Sequence, residues 1–181
     1  MSDIALAIIG GTGLYKLAAL EHVESHQPVT RYGAPSGPVR VGMLAGRRVA
    51  FLARHGEGHS VPPHKINYRA NLAALKALGA GRVLALNTVG GIGERFGPRV
   101  LACPDQLIDY TWGRISTLCE EEGTDVLHVD FGDPYTPSLR AEILARAASE
   151  RAHAEQARIL SVMTAQLADM VYYKDRHLRY V

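Results

Sequence analysis

Three short apolar runs, each ending in a polar loop that contains glycine, constrain this chain more than any other feature. Residues 4–9 lead into Gly10-Gly11-Thr12-Gly13, Phe51-Leu52-Ala53 leads into Arg54-His55-Gly56, and residues 83–86 lead into Asn87-Thr88-Val89-Gly90-Gly91. A run that is apolar throughout and then broken by glycine reads as a strand covered on both faces. Between the second and third runs, residues 67–78 carry Ala70, Leu72, Ala73, Leu75 and Leu78, an amphipathic helical spacing closed by Gly79. Val39–Leu44 and residues 49–53 are further strand candidates, joined by the hairpin-like turn Ala45-Gly46-Arg47. Residues 107–110 read as a strand after a Pro-Asp turn. Thr136-Pro137 opens a last helix, with Thr as N-cap and Pro at the first helical position. Its apolar stripe is Leu139, Ile143, Leu144 and Ala147, and helical character extends to about residue 158.

Strands and helices therefore alternate, which predicts an α/β fold around a central, partly parallel sheet. In such sheets ligands gather outside the carboxyl ends of the strands. The three polar loops are expected at those ends, and each suits an anion. Gly10, Gly11 and Gly13 let backbone N–H groups turn inward together, and Thr12 adds a hydroxyl donor. A plain tight turn would use the same glycines. The spacing fits neither the dinucleotide fingerprint nor the P-loop. Arg54 can grip a phosphate bidentately and His55 can donate to the same group, although surface arginines are common. Asn87 and Thr88 either cap a turn or face a ligand.

Composition narrows the class. The chain has 181 residues, is 47% hydrophobic and 21% charged, and carries a formal net charge of +2. This suits a single domain with a real core and gives no basic run of the kind that tracks nucleic acid. No apolar stretch approaches the ~20 residues of a membrane span. The first residues run straight into a strand and a glycine turn, without the basic start of a signal peptide, so a cytoplasmic setting is expected. Cys103 and Cys119 then stay unpaired. His55, His59 and His64 do not match a metal-ligand spacing, and Pro62-Pro63 interrupts them.

Taken together, these segments resemble the methylthioadenosine and methylthioinosine phosphorylases of the purine nucleoside phosphorylase superfamily. The likeness begins at residues 7–14 and continues through Tyr32-Gly33-Ala34-Pro35-Ser36 and Phe51-Leu52-Ala53-Arg54-His55-Gly56. It covers residues 62–71, residues 87–92, Asp105-Gln106-Leu107-Ile108-Asp109-Tyr110-Thr111 and His128-Val129-Asp130-Phe131. Asp109-Tyr110-Thr111-Trp112-Gly113-Arg114 looks closest to the bacterial branch acting on methylthioinosine. The resemblance implies a three-layer α/β fold with a central mixed sheet flanked by helices. It implies phosphorolysis of S-methyl-5'-thioinosine, or alternatively S-methyl-5'-thioadenosine, to a free purine and 5-methylthioribose 1-phosphate, in purine salvage. Inorganic phosphate is a co-substrate, and neither a cofactor nor a metal is implied. Thr12, Arg54, His55, Asn87 and Thr88 are implied to bind phosphate. His128 is implied to reach the methylthio pocket of a neighbouring subunit in a homotrimer. No nucleic-acid or membrane partner is implied.

The pattern holds over roughly the first 145 residues. The family's later ribose- and purine-binding segments, and with them the catalytic residues on the purine side, have no counterpart in this sequence. Val162-Met163-Thr164 comes too early to serve. The chain is therefore expected to be one domain, 1–181, whose stretch from about 151 diverges as a helix or loose tail over the sheet. A remnant that binds phosphate without turnover is the corresponding alternative.

Overall fold

The alternating apolar runs build a six-stranded mixed sheet in the order β2-β3-β4-β1-β5-β6. The computed structural model describes residues 4–11, 13–14, 16–98, 100–115, 117–119, 128–152 and 169–174. Its strands are β1 (Leu6–Gly10), β2 (Glu21–His26), β3 (Val39–Leu44), β4 (Arg47–Ala53), β5 (Val83–Thr88) and β6 (Asp169–Lys174). The helices are α1 (Tyr68–Ala77) and α2 (Pro137–Ala152), with two short 3₁₀ turns at Glu57–His59 and Pro63–Lys65. β1 pairs in parallel with β4 on one side and β5 on the other, while β2, β3 and β6 join antiparallel.

The period-two rule divides the core into two layers. Ala7 on β1 and Ala50 and Leu52 on β4 face α1, where Leu72, Ala74 and Leu75 meet them. Their neighbours Ile8, Val49 and Phe51 face the opposite way, onto Tyr135 and Leu139 at the start of α2. Helices thus cover both faces, giving the expected three layers. Asn67 begins α1: its side-chain oxygen accepts from Ala70 N–H at 3.0 Å, a standard N-cap bond. At α2, Pro137 takes the first helical position and the Thr136 carbonyl accepts from Arg140 N–H at 2.9 Å. Arg140 then ties α2 to the preceding segment through the Pro104 carbonyl, 3.0 Å from its Nε.

The structure departs from the sequence reading at four places. Residues 107–110 form no strand. Leu107 packs on the core, but its N–H is taken by the Gln106 side chain at 2.9 Å, and Asp109 accepts from Thr111 N–H at 2.8 Å. These local side-chain bonds replace a ladder. Leu144, assigned to the buried stripe of α2, is exposed, because contact with the sheet comes from the Leu139 and Ile143 side of the helix. β2 was not foreseen: Glu21-His22-Val23-Glu24-Ser25-His26 has no apolar alternation, since this outer strand is solvated on both faces. Lastly, residues 169–174 extend the sheet instead of covering its face. The open edge of β5 offers unpaired N–H and C=O groups that an added strand satisfies.

The β3–β4 connection is a two-residue hairpin, with Leu44 opposite Arg47 and both Ala45 (φ 49°) and Gly46 (φ 74°) left-handed. This is the turn that matches the twist of the strands, and alanine is a poor residue for its first position. Ala45→Asn should therefore raise stability by about 0.5–1 kcal/mol, read as a higher denaturant midpoint at unchanged slope. A lower midpoint would contradict this assignment of the turn.

Candidate functional site

Strand order places the three polar loops side by side. β1 is the first strand, yet the chain builds outward from it in both directions, to β4 on one flank and to β5 on the other. The carboxyl ends of β4, β1 and β5 therefore lie together at a topological switch point, the place where open α/β sheets hold ligands. The parallel ladder extends one step past β4, with Arg54 N–H donating to the Gly10 carbonyl at 2.9 Å.

Gly11 sits at the centre of this junction. A Cβ built on it would lie 2.7 Å from Arg54 Nη2 and 2.7 Å from the Leu86 carbonyl oxygen. The Arg54 guanidinium thus rests directly against the Gly11 backbone, and the last turn of β5 closes the other side. Only glycine permits this approach, since real Cβ atoms do not come that close to a backbone oxygen. The loop turns back on itself where Leu14 N–H donates to the Gly11 carbonyl at 3.1 Å. Thr12, expected in this loop, lies outside the described residues.

His55 is buried between two groups of opposite demand. Its Nδ1 is 2.9 Å from the Val61 carbonyl, and its Nε2 is 3.4 Å from Arg54 Nε. Its ring stacks on His59, with centroids 4.5 Å apart. Burial holds the imidazole pKa below its ordinary value of 6.5, with the positive charge of Arg54 acting in the same direction and the Val61 hydrogen bond opposing it. His59 itself adopts a left-handed backbone (φ 59°), an unusual conformation for a residue with a side chain.

A second tier of residues braces this loop. Asn71 is buried on α1; its Oδ1 accepts from Ser36 N–H at 2.7 Å and its Nδ2 donates to Ser36 Oγ at 3.0 Å. Asn67, one helical turn earlier, donates to the Tyr32 carbonyl at 2.6 Å. The Ser36 carbonyl is then pressed against Gly56, where a Cβ would lie 2.9 Å from it, and Gly56 is left-handed at φ 71°. Arg40 pairs with Glu57 just beyond. The sequence reading includes Gly56 in the loop after β4 and Ser36, Asn67 and Asn71 in segments of the resemblance, but assigns a bracing role to none of them, nor to Val61. The available signal is two asparagines four residues apart at the start of an amphipathic helix.

The other expected residues divide. Asn87 lies on β5 beside this junction, and its Oδ1 is a buried acceptor without a hydrogen-bond partner among the described residues. Thr88 ends β5 and is exposed. His128 is exposed in the irregular stretch before α2, so its expected role at a neighbouring subunit is not one that a single chain displays. A cleft of about 450 Å³ opens along residues 27–38, but Gln27, Thr30 and its proline and glycine neighbours supply no ionisable side chain. The chemistry-bearing groups are at the strand ends. Among the described residues no three His, Cys, Asp or Glu side chains gather as metal ligands. No helix among them is long and apolar enough to cross a membrane. Cys103 and Cys119 are free, and burial raises the Cys103 pKa.

This arrangement has counterparts in known proteins. The sequence profile of the phosphorylase superfamily matches residues 5–179. The chain belongs to that superfamily. It is 73% identical over 146 residues to a probable S-methyl-5'-thioinosine phosphorylase of Xanthomonas campestris, a match that covers 81% of this chain and 58% of that relative. It is 49% identical over 142 residues to the S-methyl-5'-thioadenosine phosphorylase of Hyperthermus butylicus, covering 78% of this chain and 51% of the relative. Among solved structures, it matches the methylthioadenosine phosphorylase of Schistosoma mansoni in complex with adenine. That match has a TM-score of 0.74 and 34% identity, over 82% of this chain and 55% of the other. The chain thus spans somewhat more than half the length of the relatives it matches.

Two outcomes follow from the site as built. Gly11→Ala should push Arg54 off the loop and strain the turn against Leu86, weakening anion binding at least about tenfold and costing about 1–3 kcal/mol of stability. Calorimetry and denaturant titration would show both, and wild-type values would refute the packing at Gly11. His55, with its lowered pKa, binds fewer protons folded than unfolded. Its contribution is therefore complete above 6.5, the unfolded-state value, and shrinks as pH falls below it. Denaturant midpoints taken from about pH 7.5 to pH 5.5 should fall, and His55→Gln should flatten part of that slope.

Proposed function

We propose that this chain carries the phosphate-binding half of a purine nucleoside phosphorylase site and serves the phosphorolysis of S-methyl-5'-thioinosine. The observation that carries the reading is the Arg54 guanidinium lying on Gly11 at the joined ends of β4, β1 and β5. A guanidinium is always charged and presents a fork of donors that matches a phosphate edge. His55, the backbone amides of the Gly10–Gly13 loop with Thr12, and the Asn87–Thr88 turn complete the cradle. In the reaction one phosphate oxygen forms a bond to the anomeric carbon as the bond from that carbon to the purine nitrogen breaks. The purine nitrogen takes up a proton to balance the one that the attacking hydrogen phosphate loses, and 5-methylthioribose 1-phosphate remains. Positive charge builds on the ribose in the transition state, and an anion fixed beside it lowers that barrier. Holding both reactants also removes much of the cost of bringing them together.

The 6-oxo substrate is favoured by the higher identity to the thioinosine relative than to the thioadenosine relative. Phosphate is a co-substrate, and no further cofactor enters. His128 serves a neighbouring copy in a homotrimer, in the cytoplasm. The domain proposed is a single unit over 1–181.

The test is to incubate the purified chain with S-methyl-5'-thioinosine and phosphate and to measure hypoxanthine. Phosphate-dependent release is expected, falling about 10²–10³-fold in Arg54→Ala. Release that persists in that variant, or that needs no phosphate, would overturn the reading. Binding of phosphate that depends on Arg54 without any release would reduce it to a non-catalytic phosphate site.

A further inference from the structure

We propose that Asn71 is a positioning residue for the anion site: without touching a ligand, it holds Ser36 against Gly56 and so fixes the turn whose two corner residues are Arg54 and His55. This rests on the reading of that turn as the anion's grip, and it adds the residue that sets the turn from helix α1.

Burial singles this residue out. Among the described residues, Tyr135 aside, only His55 and Asn71 combine a polar side chain with burial. Asparagine is a poor helix former, and a buried amide without partners costs free energy. An apolar residue would serve α1 better if packing were the only demand, as it does at the neighbouring Leu72, Ala74 and Leu75. Asn71 instead directs both ends of its amide to one residue. The Ser36 N–H can only donate, so the atom that meets it at 2.7 Å must be Oδ1. Nδ2 then donates to Ser36 Oγ at 3.0 Å. Two bonds to one residue fix its orientation as well as its distance.

From Ser36 the contact continues into the site. A Cβ on Gly56 would lie 2.9 Å from the Ser36 carbonyl oxygen, and one on Gly37 would lie 3.8 Å from the Gly56 Cα. Residues 36 and 37 thus pack directly on the backbone of Gly56. Gly56 N–H donates to the Ala53 carbonyl at 3.0 Å, which closes a four-residue turn with Arg54 and His55 at its corners. Gly56 is left-handed at φ 71°, and a glycine leaves that region as readily as it enters it. The last residue of the turn is therefore held by what packs on it. The other side is tied where Val61 N–H donates to the His55 carbonyl at 2.8 Å. A displacement of Ser36 would move Gly56, and with it both corner residues.

The experiment uses the full chain with inorganic phosphate as the probe, and reads calorimetry beside denaturant unfolding. Asn71→Ala should weaken phosphate binding about five- to tenfold, the effect of losing two hydrogen bonds. Ser36→Ala removes only the Nδ2 contact and should weaken binding about threefold. The double variant should match Asn71→Ala within about twofold, because both changes break the same link. Leu72→Ala takes core packing from the same helix; it should lower the denaturant midpoint yet keep affinity within about twofold. Wild-type affinity in folded Asn71→Ala would overturn the proposal. An equal loss in Leu72→Ala would overturn it too, since the effect would then be one of general stability. Linkage supplies a test that needs no variant to fold. Saturating phosphate should slow hydrogen exchange at the Ser36 amide at least about threefold, alongside the Gly56 amide. Slowing at Gly56 alone would refute the coupling. Phosphate binding that is absent in the wild type, or unchanged in Arg54→Ala, would instead remove the anion site itself and this proposal with it.

Discussion

The parallel pairing of β1 with both β4 and β5 is the constraint on which the site depends. It sets three strand ends at one level, and a single extra ladder bond, Arg54 N–H to the Gly10 carbonyl at 2.9 Å, carries the register into the loops. Everything functional is then placed by backbone geometry. The guanidinium does not reach the junction from a flexible periphery; it leaves the sheet where β4 stops. A shift of one residue in β4 would turn Arg54 to the other face and put Phe51 where Ala50 now packs against α1. The division of the core into two layers therefore protects the site, because Ala7, Ala50 and Leu52 fit only the α1 side.

The loop after β4 shows what such placement costs. Gly56 is left-handed, Gly58 is left-handed, and His59 adopts the same region despite its side chain. Residues in sparsely populated conformations persist only when their surroundings over-determine them. Here Asn71 fixes Ser36, Ser36 presses on Gly56, and His55 stacks on His59. The shape of the loop is thus held by the protein's own contacts. Preformed donors need no reorganisation when charge develops, which is what makes electrostatic stabilisation effective in an active site.

Much of this was legible in the sequence because the residues that build the parallel strands are apolar throughout. Residues 4–9, 49–53 and 83–86 could hardly be anything but covered strands, and the glycine loops behind them announced their ends. The hairpin at Ala45-Gly46 and helix α1 were legible for the same reason: local chemistry and global fold agree there. What stayed hidden is what long-range contacts decide. β2 carries charged and polar residues on both faces, and only its pairing with β3 makes it a strand. Leu107 to Tyr110 has strand-like residues, but Gln106 and Asp109 take the neighbouring amides first. The bracing role of Asn71 needs Ser36 in contact, thirty-five positions away in the chain. Arg54 and His55 could be singled out as a pair, yet sequence order says nothing of which nitrogen faces which partner.

That last point bears on how a single junction can serve phosphate in a chemical step. A phosphate ion brings its own negative charge, so the site must supply donors and avoid surplus protons that would tighten ground-state binding alone. On the proposed function, Arg54 supplies one permanent cation at any pH near neutrality. Burial and the neighbouring Arg54 charge both disfavour a protonated His55, and of this pair Arg54 is the group that keeps its charge near neutrality. Asn87 completes the logic from the β5 side. Its buried Oδ1 has no donor among the described residues, and leaving such an acceptor unmet costs about 1–3 kcal/mol. Arg54 and Asn87 thus stand at the ends of β4 and β5, on either side of β1.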